Sequence, residues 1–357
     1  MEFASFTKWT ELPKDIDKLL LESEKKSIFF SKTWLEKLAT KNLKEEQSLF
    51  LACVLKDNEI VVFLPMTKDS GNHIRSLRHL YTSLFTIIVK ENSNQEVFHC
   101  LVEGLNKSSI KSIKLDPIDE NDHNVKQFQN SLELSGFICF RHFLFYNWIY
   151  KTNKNSFKIY NETRPSKLRN TVERKLKKLK REASYEILIY SKKNILKALE
   201  EYYFVHERSW KAKELFKNFI ESLVLEFSKK NKIRLGILYI NNQPAAAQIW
   251  FICEQKASIF KLVYDENWKQ YSPGSILMSH FIENMIDVEK VKVIDFLYGN
   301  DAYKRDWMSN RLVRQSLYSA KVNDESAIQI RLKKFIFKIK DINKFFIKKF
   351  MVLWHKK

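Results

Sequence analysis

The stretch from Ala257 to Trp307 constrains the fold more than any other part of the chain. It reads ASIFKLVYDENWKQYSPGSILMSHFIENMIDVEKVKVIDFLYGNDAYKRDW. The run Ala257–Tyr264 has strand composition, and a loop carries it to Ser272-Pro273-Gly274-Ser275. Helical spacing comes next over Ser275–Asp287, then a second β run over Val291–Leu297. Strand, glycine-bearing turn and helix start, in that order, present free backbone N–H groups to an anion. Pro273 suits the first helical turn, where its missing N–H would lack a partner anyway. Ser272 is a good N-cap, and Gly274 lets a ligand's phosphates approach the backbone. An ordinary capped helix has the same pattern, so the loop gains meaning only from what surrounds it.

Past the second β run the residues are polar and clustered: Asp295-Phe-Leu-Tyr-Gly299-Asn-Asp301-Ala-Tyr303-Lys304-Arg-Asp-Trp307. Open α/β sheets place ligands past the carboxyl ends of their strands. There Lys304 could stabilise negative charge on a tetrahedral intermediate, and Asp301 could take a proton from an attacking amine or hydroxyl. The plainer reading makes Lys304 solvated and the aromatic residues core. A third group, His206-Glu207-Arg208-Ser209-Trp210, ends a predicted helix. His206 and Trp210 share a face, and His206 or Glu207 could line an acceptor pocket; a histidine beside a packed tryptophan is more often structural.

The same alternation runs through the rest of the 357 residues, which suffice for two α/β units. In the first, Phe29–Ala39 has helical spacing. Ser48–Lys56 and Glu59–Met66 form a hairpin around Asp57-Asn58, and strands are expected at Leu84–Val89, Ile110–Leu115 and Phe137–Trp148. In the second, strands are expected at Tyr185–Tyr190, Ile233–Ile240, Ala245–Ile252 and Leu312–Lys321, with helices at Asn194–Trp210 and Phe216–Lys229. Leu51 to Asn58 and Leu235 to Asn242 share one spacing, each in a strand–turn–strand block. Any hairpin could give that echo; a duplication could too. We divide the chain into an N-terminal domain (1–155), a basic helical connector (156–184), a C-terminal domain (185–325) and a basic amphipathic tail (326–357).

Charge is uneven. The net charge is +20, and residues 164–181 hold nine Lys or Arg against one Glu, while residues 331–357 hold ten against one Asp. The remainder is nearly neutral, so electrostatic binding should be local. In the first segment Leu168, Val172, Leu176 and Leu179 share a helical face, with Arg169 and Lys175 among the basic residues around it. It is either a solvated helix docked by its leucines or an anion-binding wall. In the tail, Leu332, Phe335, Ile336, Ile339, Ile342, Phe346, Phe350 and Leu353 fall near helical spacing. That suits an anionic membrane surface, or packing on the protein. Cys53, Cys100, Cys139 and Cys253 are far apart, so neither a metal site nor a disulfide framework is expected. The N-terminal residues lack signal-peptide design, and no uncharged run approaches the roughly 18 residues of a spanning helix. The expected location is cytoplasmic, with the tail allowing peripheral contact at the inner membrane.

Together these motifs resemble the tandem GNAT-like acetyltransferases of polysaccharide and cell-envelope loci, related in fold to Fem-type aminoacyltransferases. The resemblance covers about Phe29 to Ala320. It is carried by Phe30-Ser31-x-x-Trp34, Pro165-Ser-Lys-Leu-Arg169, His206-x-x-Ser209-Trp210, Gln243-Pro244-Ala245-Ala246, Tyr264-Asp265, Ser272-Pro273-Gly274 and Asp295-Phe-Leu…Gly299…Tyr303-Lys304-x-x-Trp307. It implies two tandem GNAT-like folds with mixed sheets flanked by helices, followed by a basic amphipathic helix. It implies acyl transfer from a thioester, acyl-CoA as co-substrate and no permanently bound cofactor, to an amine or hydroxyl of an anionic or sugar acceptor. The pantetheine arm would lie beside Phe260, Leu262 and Tyr264, and the pyrophosphate would meet Ser272, Gly274 and Ser275. Catalytic roles would fall to Lys304, Asp301, His206 and Glu207, and substrate contacts to Trp210, Gln248, Arg169, Lys175 and Tyr303. The loop lacks the Q/R-x-x-G-x-G/A pattern usual in GNAT proteins, and Tyr303-Lys304 resembles the aromatic–lysine motif of Fem-type enzymes. A Fem-type transferase using aminoacyl-tRNA is therefore the alternative. A non-enzymatic basic protein binding nucleic acid or membrane is a third reading, but it explains little of a nearly neutral core.

Overall fold

Two equivalent hairpins organise the molecule. In a computed structural model, which describes residues 1–41 and 46–337, the first half contains β1 (Glu2–Phe6), α1 (Ile16–Glu24), α2 (Lys32–Lys41), β2 (Ser48–Lys56), β3 (Glu59–Lys68), β4 (His73–Ser76), β5 (Ile88–Val89), α3 (Glu96–Lys107), β6 (Ser112–Asp119), α4 (His123–Leu134) and β7 (Phe137–Lys151). The second contains α5 (Phe157–Glu162), α6 (Ser166–Glu182), β8 (Tyr185–Tyr190), α7 (Ile195–Glu207), α8 (Lys217–Lys229), β9 (Ile233–Ile240), β10 (Gln243–Cys253), β11 (Lys256–Tyr264), α9 (Pro273–Glu283), β12 (Val293–Tyr298), α10 (Ala302–Trp307) and β13 (Asn310–Lys321). The echo noted in the sequence is the β2–β3 turn and the β9–β10 turn. Asp57 and Asn58 have φ of 51° and 63°, and Asn241 and Asn242 have 48° and 62°. Two left-handed residues in a row are what a tight hairpin matching the strand twist requires, and Asn and Asp tolerate them.

All the strands of the described residues join one mixed sheet, in the order β1-β2-β3-β4-β6-β13-β7-β12-β11-β10-β9-β8, with β5 on the edge of β3. The order reads alike from both ends. Each half is an antiparallel meander closed by one parallel pair: β4 with β6, and β11 with β12. Between them lie β7 and β13, antiparallel along Phe137–Ile149 and Asn310–Lys321. The last strand of the described residues, β13, pairs with β6 of the first half. The last strand of the first half, β7, pairs with β12 of the second. The sheet thus has no seam between halves.

The helices cover it. One hydrophobic cluster draws on both halves: Trp34, on α2, packs edge-on against Phe219, Phe251 and Phe260. Trp34 Nε1 donates to Thr82 Oγ1 at 3.3 Å, which satisfies its buried N–H. The expected strand at 84–89 shrinks to Ile88–Val89, because Phe85 N–H bonds the Pro117 carbonyl and the Ile87 carbonyl accepts from Asn124 Nδ2 instead of a ladder partner. In the tail, residues 325–337 are helical; the remainder of the expected amphipathic tail 326–357, from 338 on, lies outside the described residues. Among the described residues no helix is long and apolar enough to cross a membrane.

Candidate active site

The parallel pair β11–β12 is short. Its ladder runs from Lys256–Ser258 to Val293–Asp295 and then stops. Beyond that point the strands part, and a cleft of about 710 Å³ opens between the halves. Three local devices shape it. On β11 the pairing with β10 slips between Ile249 and Trp250, leaving Phe260 as an unpaired bulge residue that re-aims the strand. On β12 the pairing with β7 slips between Asp295 and Tyr298, and Leu297 takes a left-handed φ of 50°. Asp295 holds that kink: its Oδ1 accepts from Leu297 N at 2.8 Å and Asn147 Nδ2 at 2.7 Å, and its Oδ2 lies 2.7 Å from Lys256 Nζ.

Lys304, the first of the expected catalytic residues, lies in the cleft wall with its residue only 5% exposed. Its ammonium donates to the carbonyls of Phe296 (3.1 Å) and Tyr298, and stands 3.7 Å from Asp301 Oδ2. Desolvation pushes it below the ordinary lysine pKa, against the pull of Asp301 and Asp295. Gly299, with φ of +116°, makes this possible: a Cβ there would sit 3.1 Å from Asp301 Oδ2 and 3.2 Å from Lys304 Nζ. Asp301 and Tyr303 also line the cleft. Phe260 and Leu262 line it too, although Phe260 leans on Trp34, Tyr81 and Phe251 and is anchored to the core.

The loop at Gly274 lies at the same end of β11. A Cβ on Gly274 would come within 3.2 Å of the Tyr264 ring, which in turn packs on Trp210 at 4.5 Å. Ser272 occupies the N-cap position, but with a left-handed φ of 52° its side chain caps no amide; its carbonyl accepts from Ser275 and Ile276 instead. Gln248 is fully buried. It donates to the Gly274 carbonyl at 3.2 Å and accepts from Trp250 Nε1 at 2.9 Å, which fixes the loop from beneath. The basic helix α6 docks alongside through Leu168, Val172, Leu176 and Leu179. Lys175 Nζ reaches the Gln270 carbonyl at 2.5 Å, Lys178 lies over the Tyr271 ring, and Arg169 bonds the Arg164 carbonyl. The structure thus brings the basic segment and the glycine loop together.

His206 and Trp210 line a smaller recess of about 330 Å³ that shares Leu80, Tyr81, Lys211 and Lys261 with the cleft. Burial lowers the His206 pKa and favours the neutral ring. Glu207 faces away and pairs with Lys217 at 3.1 Å. Sequence reasoning missed the polar group between the two cavities. Glu214 accepts from Tyr81 Oη and from Lys261 Nζ at 2.6 Å, and Lys261 lies 3.6 Å above the Tyr81 ring. Burial would raise the Glu214 pKa, but these hydrogen bonds outweigh it and hold the carboxylate charged. Burial lowers the Lys261 pKa against the same partner. Lys211 is pushed down to about 8 by desolvation and by repulsion from Lys261 and Lys304. Its side chain keeps contact with solvent, which preserves more charge than sealed burial would. The signal available in sequence was a lysine in the middle of an apolar strand. With Arg78 and Lys114, the cleft is lined by five cations against Asp116 and Asp301.

Comparison with known proteins bears on the fold. Residues 166–305 match the family model described as acetyltransferase (GNAT) domain. The matched span starts on α6 and ends just past Lys304. The structure of FemX is similar with a TM-score of 0.61 at 9% identity, over 89% of this chain and 97% of that one. The C-terminal DUF2156 domain of a protein assigned as a lysylphosphatidylglycerol synthetase from Agrobacterium fabrum is similar at 0.55 and 9%, over 90% and 94%. No curated protein matches the sequence. The chain therefore has a GNAT-like α/β fold, and the part of it that resembles the acetyltransferase (GNAT) domain model lies in its second half.

Proposed function

We propose that the chain is an acyltransferase working in the cleft beyond Ser258 and Asp295. The observation that carries this is the parting of a short parallel pair beside a glycine-bearing helix start and a basic helix. An acyl-CoA donor fits with its pantetheine along Phe260 and Leu262 and its pyrophosphate near Gly274, within reach of α6. An amine or hydroxyl of the acceptor attacks the thioester carbonyl, forming the new C–N or C–O bond. Asp301 takes the acceptor's proton. Two of the Lys304 donors serve the main chain, and the third faces Asp301 and is the one left for the developing oxyanion. The intermediate collapses, the C–S bond breaks, and the thiolate leaves. The five cations outnumber Asp116, Asp301 and Glu214 around the cleft, and that net positive charge favours an anionic acceptor, such as a phosphate-bearing cell-envelope or exopolysaccharide precursor.

A second reading has one observation behind it. The exposed Lys167, Arg174, Lys177 and Arg181 carry positive charge along α6 well past the loop, farther than a pyrophosphate needs. That suits an aminoacyl-tRNA donor of the Fem type. Calorimetry with acetyl-CoA and native mass spectrometry with charged tRNA separate the two. Under the first reading Gly274→Asp abolishes CoA binding in a folded protein, and Lys304→Ala lowers turnover about 10²-fold with donor affinity kept. Unchanged CoA affinity in Gly274→Asp would remove the donor from this loop.

A further inference from the structure

The helix at 325–337 carries apolar residues on two opposite faces. Its inner face holds Ala327 and Ile330, both buried against Ala320, Ile138, Phe140 and Tyr318. Phe337 continues that face onto the Phe140 ring at 5.5 Å. Tyr318 meets two cations there: Lys333 lies 4.3 Å from its ring centre and Lys114, from the cleft wall, 5.0 Å. The outer face holds Ile328, Leu332, Phe335 and Ile336, between 42% and 65% exposed. Their spacing of four, three and one places them on one stripe, about half a turn from the buried residues. A single exposed leucine has no meaning, but a contiguous stripe does.

We propose that this outer stripe docks the protein on an anionic lipid bilayer. The inner face already satisfies what packing on the protein requires, so the outer one serves something else. Arg331, three residues past Ile328 and four before Phe335, borders the stripe, and residues 331–357 carry ten basic residues against one acidic. A second copy of the chain would bring two such segments together and meet repulsion. A negatively charged, apolar-cored surface meets both demands at once. The contacts through Tyr318 place the helix that carries the stripe beside the cleft wall that holds Lys114. The inference stands on exposure and charge, and not on the reaction assigned to the cleft.

The test uses the full chain and phosphatidylcholine vesicles with and without phosphatidylglycerol. The protein should sediment with the anionic vesicles and much less with neutral ones. Leu332→Glu with Phe335→Glu should weaken partitioning at least tenfold, with an unchanged thermal melt. Should that pair disturb folding, Leu332→Ser with Phe335→Ser gives the same readout more gently. The proposal fails if the full chain ignores anionic vesicles at low salt, or if both folded variants bind as wild type does. It also fails if the stripe variants abolish a concentration-dependent dimer, which would assign the face to a second copy.

Discussion

Asp295 shows how a single residue builds the site without touching a substrate. It is 1% exposed, at the point where β11 and β12 part, and ties together three strands. Burial alone would raise its pKa; the charge of Lys256, with Arg314 and Asn147 behind it, outweighs burial and lowers it. In the unfolded chain the carboxyl titrates near its ordinary value of about 3.9. Between the depressed folded value and that one, the unfolded state binds the extra proton. The stability Asp295 contributes is therefore complete above the unfolded value and is lost as pH falls through the folded one. Asp295→Asn should cost about 2 kcal/mol at pH 7. That is below the roughly 3–5 kcal/mol of a sealed pair, because Lys256 keeps some solvent. Denaturant unfolding from pH 7 down to pH 3 should show wild type losing its advantage over the variant. An advantage that stays constant with pH would show that Asp295 is not the linked group.

At the scale of elements, two glycines separate packing from function. Gly236 on β9 lets the Phe281 ring of α9 lie against the sheet; a Cβ there would be 2.1 Å from that ring. Phe281 also stacks on Trp250 at 5.0 Å, so it has little room to give. Gly104 on α3 does the same for Phe3 of β1, at 1.9 Å. Alanine at either position overpacks a helix–sheet contact and should cost about 1–3 kcal/mol. Only Gly236→Ala displaces α9, and with it the Gly274 loop. It should weaken donor binding in calorimetry, while Gly104→Ala should lower the melting temperature alone. Equal affinity in both variants would detach the loop from α9 packing. Elements of this kind were legible where pattern and turn agreed: β2, β8 and β9 match the expected runs residue for residue. They were not legible where pairing was short or distant. β4, with four residues, exists only because β3 and β6 flank it, and β1 only through β2. The site followed the same division. Lys304, Asp301 and the Gly274 loop announce themselves within one segment. Glu214 meets Tyr81 and Lys261 across 133 and 47 positions, which no local pattern encodes.

The whole molecule is defined by what β7 and β13 exchange. β13 lies between β6 and β7, so residues 1–155 alone would leave those strands apart by the width of one missing ladder on each side. Trp34 would likewise lose Phe219, Phe251 and Phe260 from around its buried ring. Each half depends on the other for a central strand and for part of its core, and neither has the contacts of a free domain. The full chain should therefore unfold in one cooperative transition, with tryptophan fluorescence and far-ultraviolet circular dichroism coincident. The fragment 1–155 should show no sigmoidal melt by itself. Co-expression with 156–357 should recover a soluble complex, because the strands that complete each half are then supplied in trans. Two resolved transitions in the full chain, or a fragment 1–155 that melts cooperatively, would show that the central ladder is a docking contact between independently stable units. A single transition would make the exchange of strands the reason why the cleft, whose walls come from both halves, keeps one geometry.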